Sequence, residues 1–493
     1  MTPPRPGRDA PVHANVVLAI CCTSVLLMAM DGTIVNVALP SIRRDFASQT
    51  SGLQWVIDAY TLIIASLLML SGSLADRFGR RRTFQLGLCL FTLGSGLCSL
   101  APGLHALIGF RALQAIGGSM MNPIAMSIIS NTFVEPKARA RAIGTWGAVA
   151  GLAMALGPLF GGALAESIGW RSIFWVNVPI GVAAIVLTQR FVPESKAPRA
   201  RRLDPLAQLL VLAMLASVTY AVIEGRNQGF GSSLIVGLFG VSGASLAALV
   251  VHEARREEPL IDLRFFRSAS FASATVIAVC AFAAFSGFLF LNPLYLQEIR
   301  HRSAFETGLY TLPIALAMMV CSPISGRLVG AYGARPSLVA AGTAIATSAL
   351  ILTRLDADTS TTVLLASYLI FGIGVGLVNA PITNAAVSGM PRAQAGVASA
   401  IASTSRQTGA ALGVAIAGSL ASTGGRGEDR AIDAGFTAAS HAYWWLVVGL
   451  GVLVIALGAI STSAWAKGTT RRIAQLLDDP AKADGREVLV EKL

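Results

Sequence analysis

The sequence predicts an all-α integral membrane fold of fourteen spanning helices, grouped six, two and six, with both termini cytoplasmic. Three observations carry that expectation. The 493-residue chain is 54% hydrophobic and only 13% charged, with a mean hydropathy of +0.65. Soluble domains carry roughly 25% charged residues, so a bilayer has to be the solvent for most of this chain. The second observation is an internal repeat. Gly72, Leu74, Asp76, Arg77, Phe78, Gly79, Arg80 and Arg81 return 254 residues later as Gly326, Leu328, Gly330, Ala331, Tyr332, Gly333, Ala334 and Arg335. A charged turn between apolar runs, met twice at half-chain distance, points to a duplicated bundle. The third is charge asymmetry. With fourteen spans, 27 of the 38 Lys and Arg residues fall on the side of the termini and nine on the other. That is the bias of cytoplasmic loops, and a thirteen-span reading would scramble it.

A span needs about 20 mainly apolar residues. The first run, 16–39, follows a polar start and holds Asp31 and Asn36. It is too long for the apolar core of a signal peptide and reads as a retained helix. The second, 53–73, begins with Trp55, Asp58 and Tyr60 and ends in the charged turn. The third, 83–101, carries Cys89 and Cys98. The fourth, 105–130, contains Arg111, Gln114, Met121 and Asn122. The fifth, 140–164, is rich in Gly and Ala, and the sixth, 172–190, follows Trp170 and Arg171. A basic linker, Arg190 to Arg202, leads to the seventh and eighth runs, 206–223 and 233–251.

The remaining six runs lie at 270–292, 308–328, 336–353, 363–386, 396–420 and 442–464 and repeat the first six. Ile116, Gly117 and Asn122 match Ile373, Gly374 and Asn379 at an offset of 257. Pro136 to Arg141 matches Pro391 to Gly396 at 255. The expected units are therefore an N-terminal tail (1–15), a six-helix bundle (16–190), a linker with two extra helices (191–255), a second bundle (256–466) and a polar tail (467–493).

The net charge of +12 does not indicate a nucleic-acid partner, because the basic residues lie in short loops between apolar runs and form no single patch. The six cysteines fall in apolar runs without metal-type spacing and read as small buried hydrophobes. There is no phosphate-binding P-loop, no HExxH and no plausible nucleophile–base pair, and the five histidines stand near span ends. The expectation is a non-enzyme without cofactor or metal, powered by an ion gradient.

Six local patterns resemble those of the fourteen-helix drug:proton antiporter family of the major facilitator superfamily, over roughly residues 16–466. They are Asp31 to Pro40 in the first helix, Leu53 to Tyr60 at the start of the second, and Gly72 to Arg82 in the loop that follows. The others are Arg111 to Gly118 in the fourth helix, Gly157 to Gly162 in the fifth, and Gly169 to Gly181 at the start of the sixth. Ala115 and Ala153 depart from the patterns, which usually have glycine there. The resemblance implies a proton-coupled exporter of small lipophilic drugs or toxic compounds. It would sit in the inner (plasma) membrane, act as a monomer by alternating access, and draw on the proton gradient. A dedicated exporter of one metabolite or lipid, and a transport-dead membrane sensor, are the alternatives.

Asp31 lies only about 5 Å from the midpoint of its span, at about 1.5 Å per residue. A carboxylate there is costly and has to be protonated, paired or wet, which suits a group that takes up and releases a proton. Arg111 and Gln114 share a helix face, and Arg111 is expected to pair with Asp31. By resemblance, Asp31 and Arg111 couple protons. Gly72, Asp76, Arg77, Gly79 and Arg80 then latch the two halves, and Gly157, Pro158, Gly161 and Gly162 seal them. Small residues four apart allow close helix contact, and Pro158 removes a backbone hydrogen bond. A substrate cavity is expected between the halves, with Asn36, Asp58, Gln114, Met121, Asn122, Phe285, Asn292, Asn379, Asn384 and Arg406 as candidates. Asp58, Glu166 and Glu224 read as solvated end charges, and Trp55, Tyr60, Trp444 and Trp445 as interfacial anchors.

Overall fold

The computed structural model describes residues 14–196, 204–256, 259, 261–387, 395–421 and 434–478. Expectations placed on residues 1–13, on the linker residues 197–203, on Pro391 to Gln394 of the repeat and on residues 479–493 lie outside them. Among the described residues all regular structure is helical. The reason is the solvent: a backbone in hydrocarbon must satisfy its hydrogen bonds within its own segment.

The helices are α1 (Ala14–Phe46), α2 (Thr50–Phe78), α3 (Arg80–Ser99), α4 (Leu104–Thr132), α5 (Pro136–Ser167), α6 (Ser172–Trp175) and α7 (Asn177–Phe191). They continue with α8 (Pro205–Gln228), α9 (Ser233–Ala254), α10 (Ala269–Leu294), α11 (Ala304–Tyr332) and α12 (Ala334–Leu352). The last are α13 (Thr361–Val387), α14 (Ala395–Ala421), α15 (Ala434–Ser461) and α16 (Ala464–Asp478). Twelve spans among these are long and apolar enough to cross a membrane, α6 and α7 forming one of them. The other two long helices are α3, which opens on Arg80, Arg81 and Arg82, and α14, which carries Arg406 among Ser, Thr and Gly. Their polar residues keep both below that apolarity.

The sixth run opens on a single turn, α6, and continues past Val176 as α7; Val176 keeps helical backbone angles, so the two form one span as expected, with Asn177 at the start of α7. The repeated turn has a backbone explanation. Gly79 and Gly333 both take positive φ, +107° and +79°, where α2 gives way to α3 and α11 to α12. A side chain there would be strained, which accounts for a glycine in each copy.

Helix pairing follows the duplication. α1 packs on α5, α3 on α4 and α7, and α2 on α4; correspondingly α10 packs on α14, α12 on α13 and α15, and α11 on α13. Gly157 and Gly413, 256 residues apart, both seat against the first helix of their set. A Cβ on Gly157 would strike Thr33, and one on Gly413 the backbone of Ala283. The two sets meet through α5 with α11 and α2 with α14. α8 leans on that second seam, touching α2 and α14, and α9 packs on α8. Gln208 donates to the Ser66 carbonyl, Arg226 Nη1 to the Ser419 carbonyl at 3.1 Å, and Trp55 Nε1 to Glu224 at 3.2 Å. At the other end of the pair, Asp204 caps α8 and bridges to His252 and Arg256 of the α9 end, each at 2.9 Å. Burial works against that carboxyl's charge, but the Ala207 N–H, His252 and Arg256 hold it below the usual carboxylate range.

Candidate functional site

Four helices converge on one buried ion pair. Asp31 of α1 is fully buried. Its Oδ2 accepts from Arg111 Nη1 of α4 at 2.6 Å, and its Oδ1 from Gln114 Nε2 at 2.8 Å and Asn177 Nδ2 of α7 at 3.2 Å. Arg111 also donates to Gln114 Oε1 at 2.8 Å and, through Nε, to the Val56 carbonyl of α2 at 3.2 Å. Asn177 donates to Ser95 Oγ of α3 at 3.1 Å, which donates on to the Phe174 carbonyl. The Tyr60 ring lies under the guanidinium at 4.0 Å.

A buried ion pair recovers its desolvation cost only where the remaining polar atoms are also bonded. Here the carboxylate accepts three hydrogen bonds and the guanidinium makes three, so the pair fixes α1, α2, α4 and α7 around one ionisable group. The expected Asp31–Arg111 pairing is therefore present. Asn177, Ser95 and Tyr60 are participants that sequence reasoning missed. Tyr60 is no interfacial anchor: it is buried on Arg111. Trp444 likewise packs inside, against Phe288, whereas Trp445 is exposed.

The repeat carries no copy of this site. At the offset of 257, Arg111 falls on Tyr368 and Gln114 on Phe371. Their rings close on Phe288 of α10, at 4.9 Å and 4.8 Å between centroids. Asn292 accepts a hydrogen bond from the Tyr368 hydroxyl. One half holds a charged network where the other holds an aromatic cluster.

The glycine run of α5 meets both α1 and α11. A Cβ on Gly161 would stand 2.8 Å from the Ile34 carbonyl, one on Gly162 would strike the Ala304 carbonyl, and one on Gly308 would stand 2.6 Å from that of Pro158. Glu166 accepts from the Phe305 N–H at 2.9 Å, so it caps a neighbouring helix and is more than a solvated end charge. On the opposite seam Gln54 donates to the carbonyls of Val414 and Ala415. Gln297 donates to the Val37 carbonyl at 2.8 Å. These ties all lie at the end away from the Asp76 loop. Toward that loop α5 and α11 expose Leu152, Met319, Val320 and Ile324.

Just inside the α5–α11 seal is a small cavity lined by Thr33, Met154, Pro158, Phe285, Thr311 and Met318, among others. Of the ten cavity candidates only Phe285 lines it. Asn36 bonds back to its own helix at Gly32. Gln114 belongs to the Asp31 network, Met121 is sealed in the first-half core, and Asn122 and Asn379 lie half-buried on α4 and α13. Asn292 is bonded within the second half, and Asn384 is exposed beside a separate cavity. Arg406 is half-buried and donates to Ser403 Oγ of its own helix. Asp58 is fully buried, contrary to its reading as a solvated end charge, with Thr61 Oγ1 at 3.4 Å.

In the loop, Asp76 pairs with Arg80 at 3.5 Å, and Arg77 lies over Phe78. A Cβ on Gly72 would meet nothing within 4 Å. Among the described residues no cluster of three or more His, Cys, Asp or Glu could hold a metal ion.

A duplicated helical bundle built on these patterns defines a membrane transporter, and comparison with known proteins agrees. A family model described as Major Facilitator Superfamily matches residues 21–414, and the chain belongs to that superfamily. It is 38% identical to the multidrug resistance protein Stp of Mycobacterium tuberculosis over 396 residues, covering 80% of this chain and 74% of that one. It is 32% identical to the multidrug efflux pump LfrA of Mycolicibacterium smegmatis over 410 residues, covering 83% and 81%. The riboflavin transporter RibZ of Clostridioides difficile is 32% identical over 400 residues, covering 81% and 86%. The chain is a multi-pass membrane protein of the transporter class and not an enzyme.

Proposed function

We propose that this protein exports small lipophilic drugs or toxic compounds across the inner membrane in exchange for protons, as a monomer. The topology we assign is fourteen spans with both termini cytoplasmic. In it 16–190 and 256–466 are the moving halves, and α8 and α9 are the extra pair. The observation that carries the reading is the sealed carboxylate of Asp31, tied to Arg111, Gln114 and Asn177.

A proton placed on Asp31 cancels its charge and weakens its hold on Arg111 and Gln114, which loosens α1 from α4. α1 also supplies Thr33 to the central cavity and seats Gly157 of α5. α5 is in turn one side of the seal with α11. The protonation state of Asp31 thus reaches the cavity and the seal through one rigid helix. With the Asp76 loop on the cytoplasmic side, the seal is external and the conformation faces inward. Asp76 is then free of the second half and latches it only when the pore faces outward. The apolar, Met-bearing lining of the cavity favours lipophilic substrates.

The test is substrate-driven proton release from liposomes containing the purified protein. A panel of lipophilic cationic and neutral dyes should each move protons, and Asp31→Asn should abolish the signal. Flux with one metabolite alone would support a dedicated exporter instead, the reading that the riboflavin-transporting relative keeps open. Saturable binding without flux for every compound would indicate a sensor.

A further inference from the structure

The two copies of the repeated turn differ in what covers the helix that follows. In the first copy the segment after α7 folds over the start of α3. Glu194 accepts from the Arg81 N–H at 3.1 Å, and the Ser195 carbonyl accepts from the Arg80 N–H at 2.9 Å. A Cβ on Gly79 would stand 2.6 Å from that carboxylate. An anionic group of the chain itself therefore sits on the free N–H groups of α3, where the helix dipole favours it.

In the second copy no described residue covers the start of α12 in this way. Gly333 has nothing within 4 Å of where a Cβ would stand. In place of Glu194, the chain after α15 brings Lys467 and Arg471 of α16. Between them and the bundle lies a cavity of about 380 Å³. Its floor is apolar, with Ala274, Ile277, Leu338 and Ile382, and its rim is polar, with Thr470 and the two cations. Among the described residues that line it there is no Asp or Glu. Where the first half has Phe84 buried in its core, the second has the smaller Leu338, 254 residues later. α16 is docked by Thr470 Oγ1 on Ser268 Oγ at 2.9 Å and by Thr469 Oγ1, which accepts from the Ala269 N–H at 3.0 Å. Its Trp465 is 66% exposed, as an aromatic at a bilayer surface is.

We propose that this cavity binds one anionic phospholipid, its phosphate held by Lys467, Arg471 and the start of α12, and its glycerol and upper acyl carbons laid on the apolar floor. The missing carboxylate of the second half is thus supplied by the membrane. Two cations without a lining acid fit an anion, and the floor of a membrane-embedded bundle fits an amphiphile rather than a free ion. Basic pockets between helices on the cytoplasmic side bind such headgroups. The site needs only the membrane setting and does not depend on proton coupling.

Native mass spectrometry of the full-length protein in detergent, titrated with phosphatidylglycerol, phosphatidylcholine or inorganic phosphate, tests this. Phosphatidylglycerol should give one saturable adduct and raise the melting temperature. Phosphatidylcholine should bind at least about tenfold more weakly, and millimolar phosphate should not compete. The double substitution Lys467→Gln with Arg471→Gln should lower the phosphatidylglycerol affinity about tenfold or more, while Arg472→Gln on the same helix should leave it unchanged. Lys467→Glu, which imitates Glu194, should remove the adduct while the folded protein keeps its melting temperature in lipid-free detergent. Equal affinity in the double variant, displacement by phosphate alone, or no saturable adduct would each overturn the proposal.

Discussion

Arg111 holds Asp31 at 2.6 Å across two helices, and neither side chain reaches solvent. Removing one partner of such a pair strands the other. Asp31→Asn should therefore reduce proton-driven dye efflux to the level of empty vesicles while the protein still reaches the membrane. It should also lower stability by about 3 kcal/mol or more, since a guanidinium is left buried without its counter-charge. Arg111→Lys should not rescue function, because a lysine cannot serve Asp31, Gln114 and the Val56 carbonyl together. Retention of more than a tenth of wild-type efflux in Arg111→Lys would contradict this geometry. Everted vesicles with an imposed pH gradient provide both readouts.

Asn177 bonds the same carboxylate from the start of α7. Asn177→Leu removes one of three donors to Asp31 and one to Ser95, at a cost of about 1–3 kcal/mol for the polar atoms left unpaired. Asp31 then keeps only its Arg111 and Gln114 donors, so proton-driven efflux should fall severalfold while the protein still reaches the membrane. The measurement is dye efflux from everted vesicles at matched protein level, and unchanged efflux would leave Asn177 without a part in the network.

Gly162 faces the backbone of Ala304. Gly162→Val should push α5 from α11, costing about 1–3 kcal/mol as overpacking usually does. The external seal should then leak. Liposomes bearing the variant should dissipate a pH gradient without substrate, whereas wild-type liposomes hold it.

Asp76 and its repeat Gly330 should respond differently. Asp76→Asn should lower the turnover of efflux severalfold with little change in apparent substrate affinity, because a latch acts on the conformational cycle. Gly330 has no heavy atom near its would-be Cβ, so Gly330→Ala should match wild type. Equal loss in both would remove the asymmetry between the loop copies.

The parts of this structure that were legible in the sequence are those that break a rule of membrane chains. Asp31 and Arg111 stood out as charges within apolar runs, and their pairing followed from cost. Gly79 stood out because it recurs as Gly333, and its positive φ explains the recurrence. Asn177 and Ser95 did not stand out, because a neutral polar residue is common near a span end and its partner lies 146 or 82 residues away. Tyr60 read as an anchor because a tyrosine near a span end usually is one. The central cavity was least legible. Met154 and Met318 are apolar residues on helices whose other faces meet lipid, and composition does not tell one face from the other.

The aromatic cluster of Phe288, Tyr368 and Phe371 stands where the first half carries charge. Among the described residues, the carboxylates buried in the helices of the two bundles, Asp31 and Asp58, lie on α1 and α2, and α10 to α15 bury none. One half of the repeat thus carries ionisable side chains at positions where the other carries rings. Substitutions in the second half can then reshape the cavity lining without touching the Asp31 network. Adaptation to a new compound is accordingly expected to arise first by substitutions in α10 and α11, the side of the cavity on which a lineage can experiment without disturbing its buried charges.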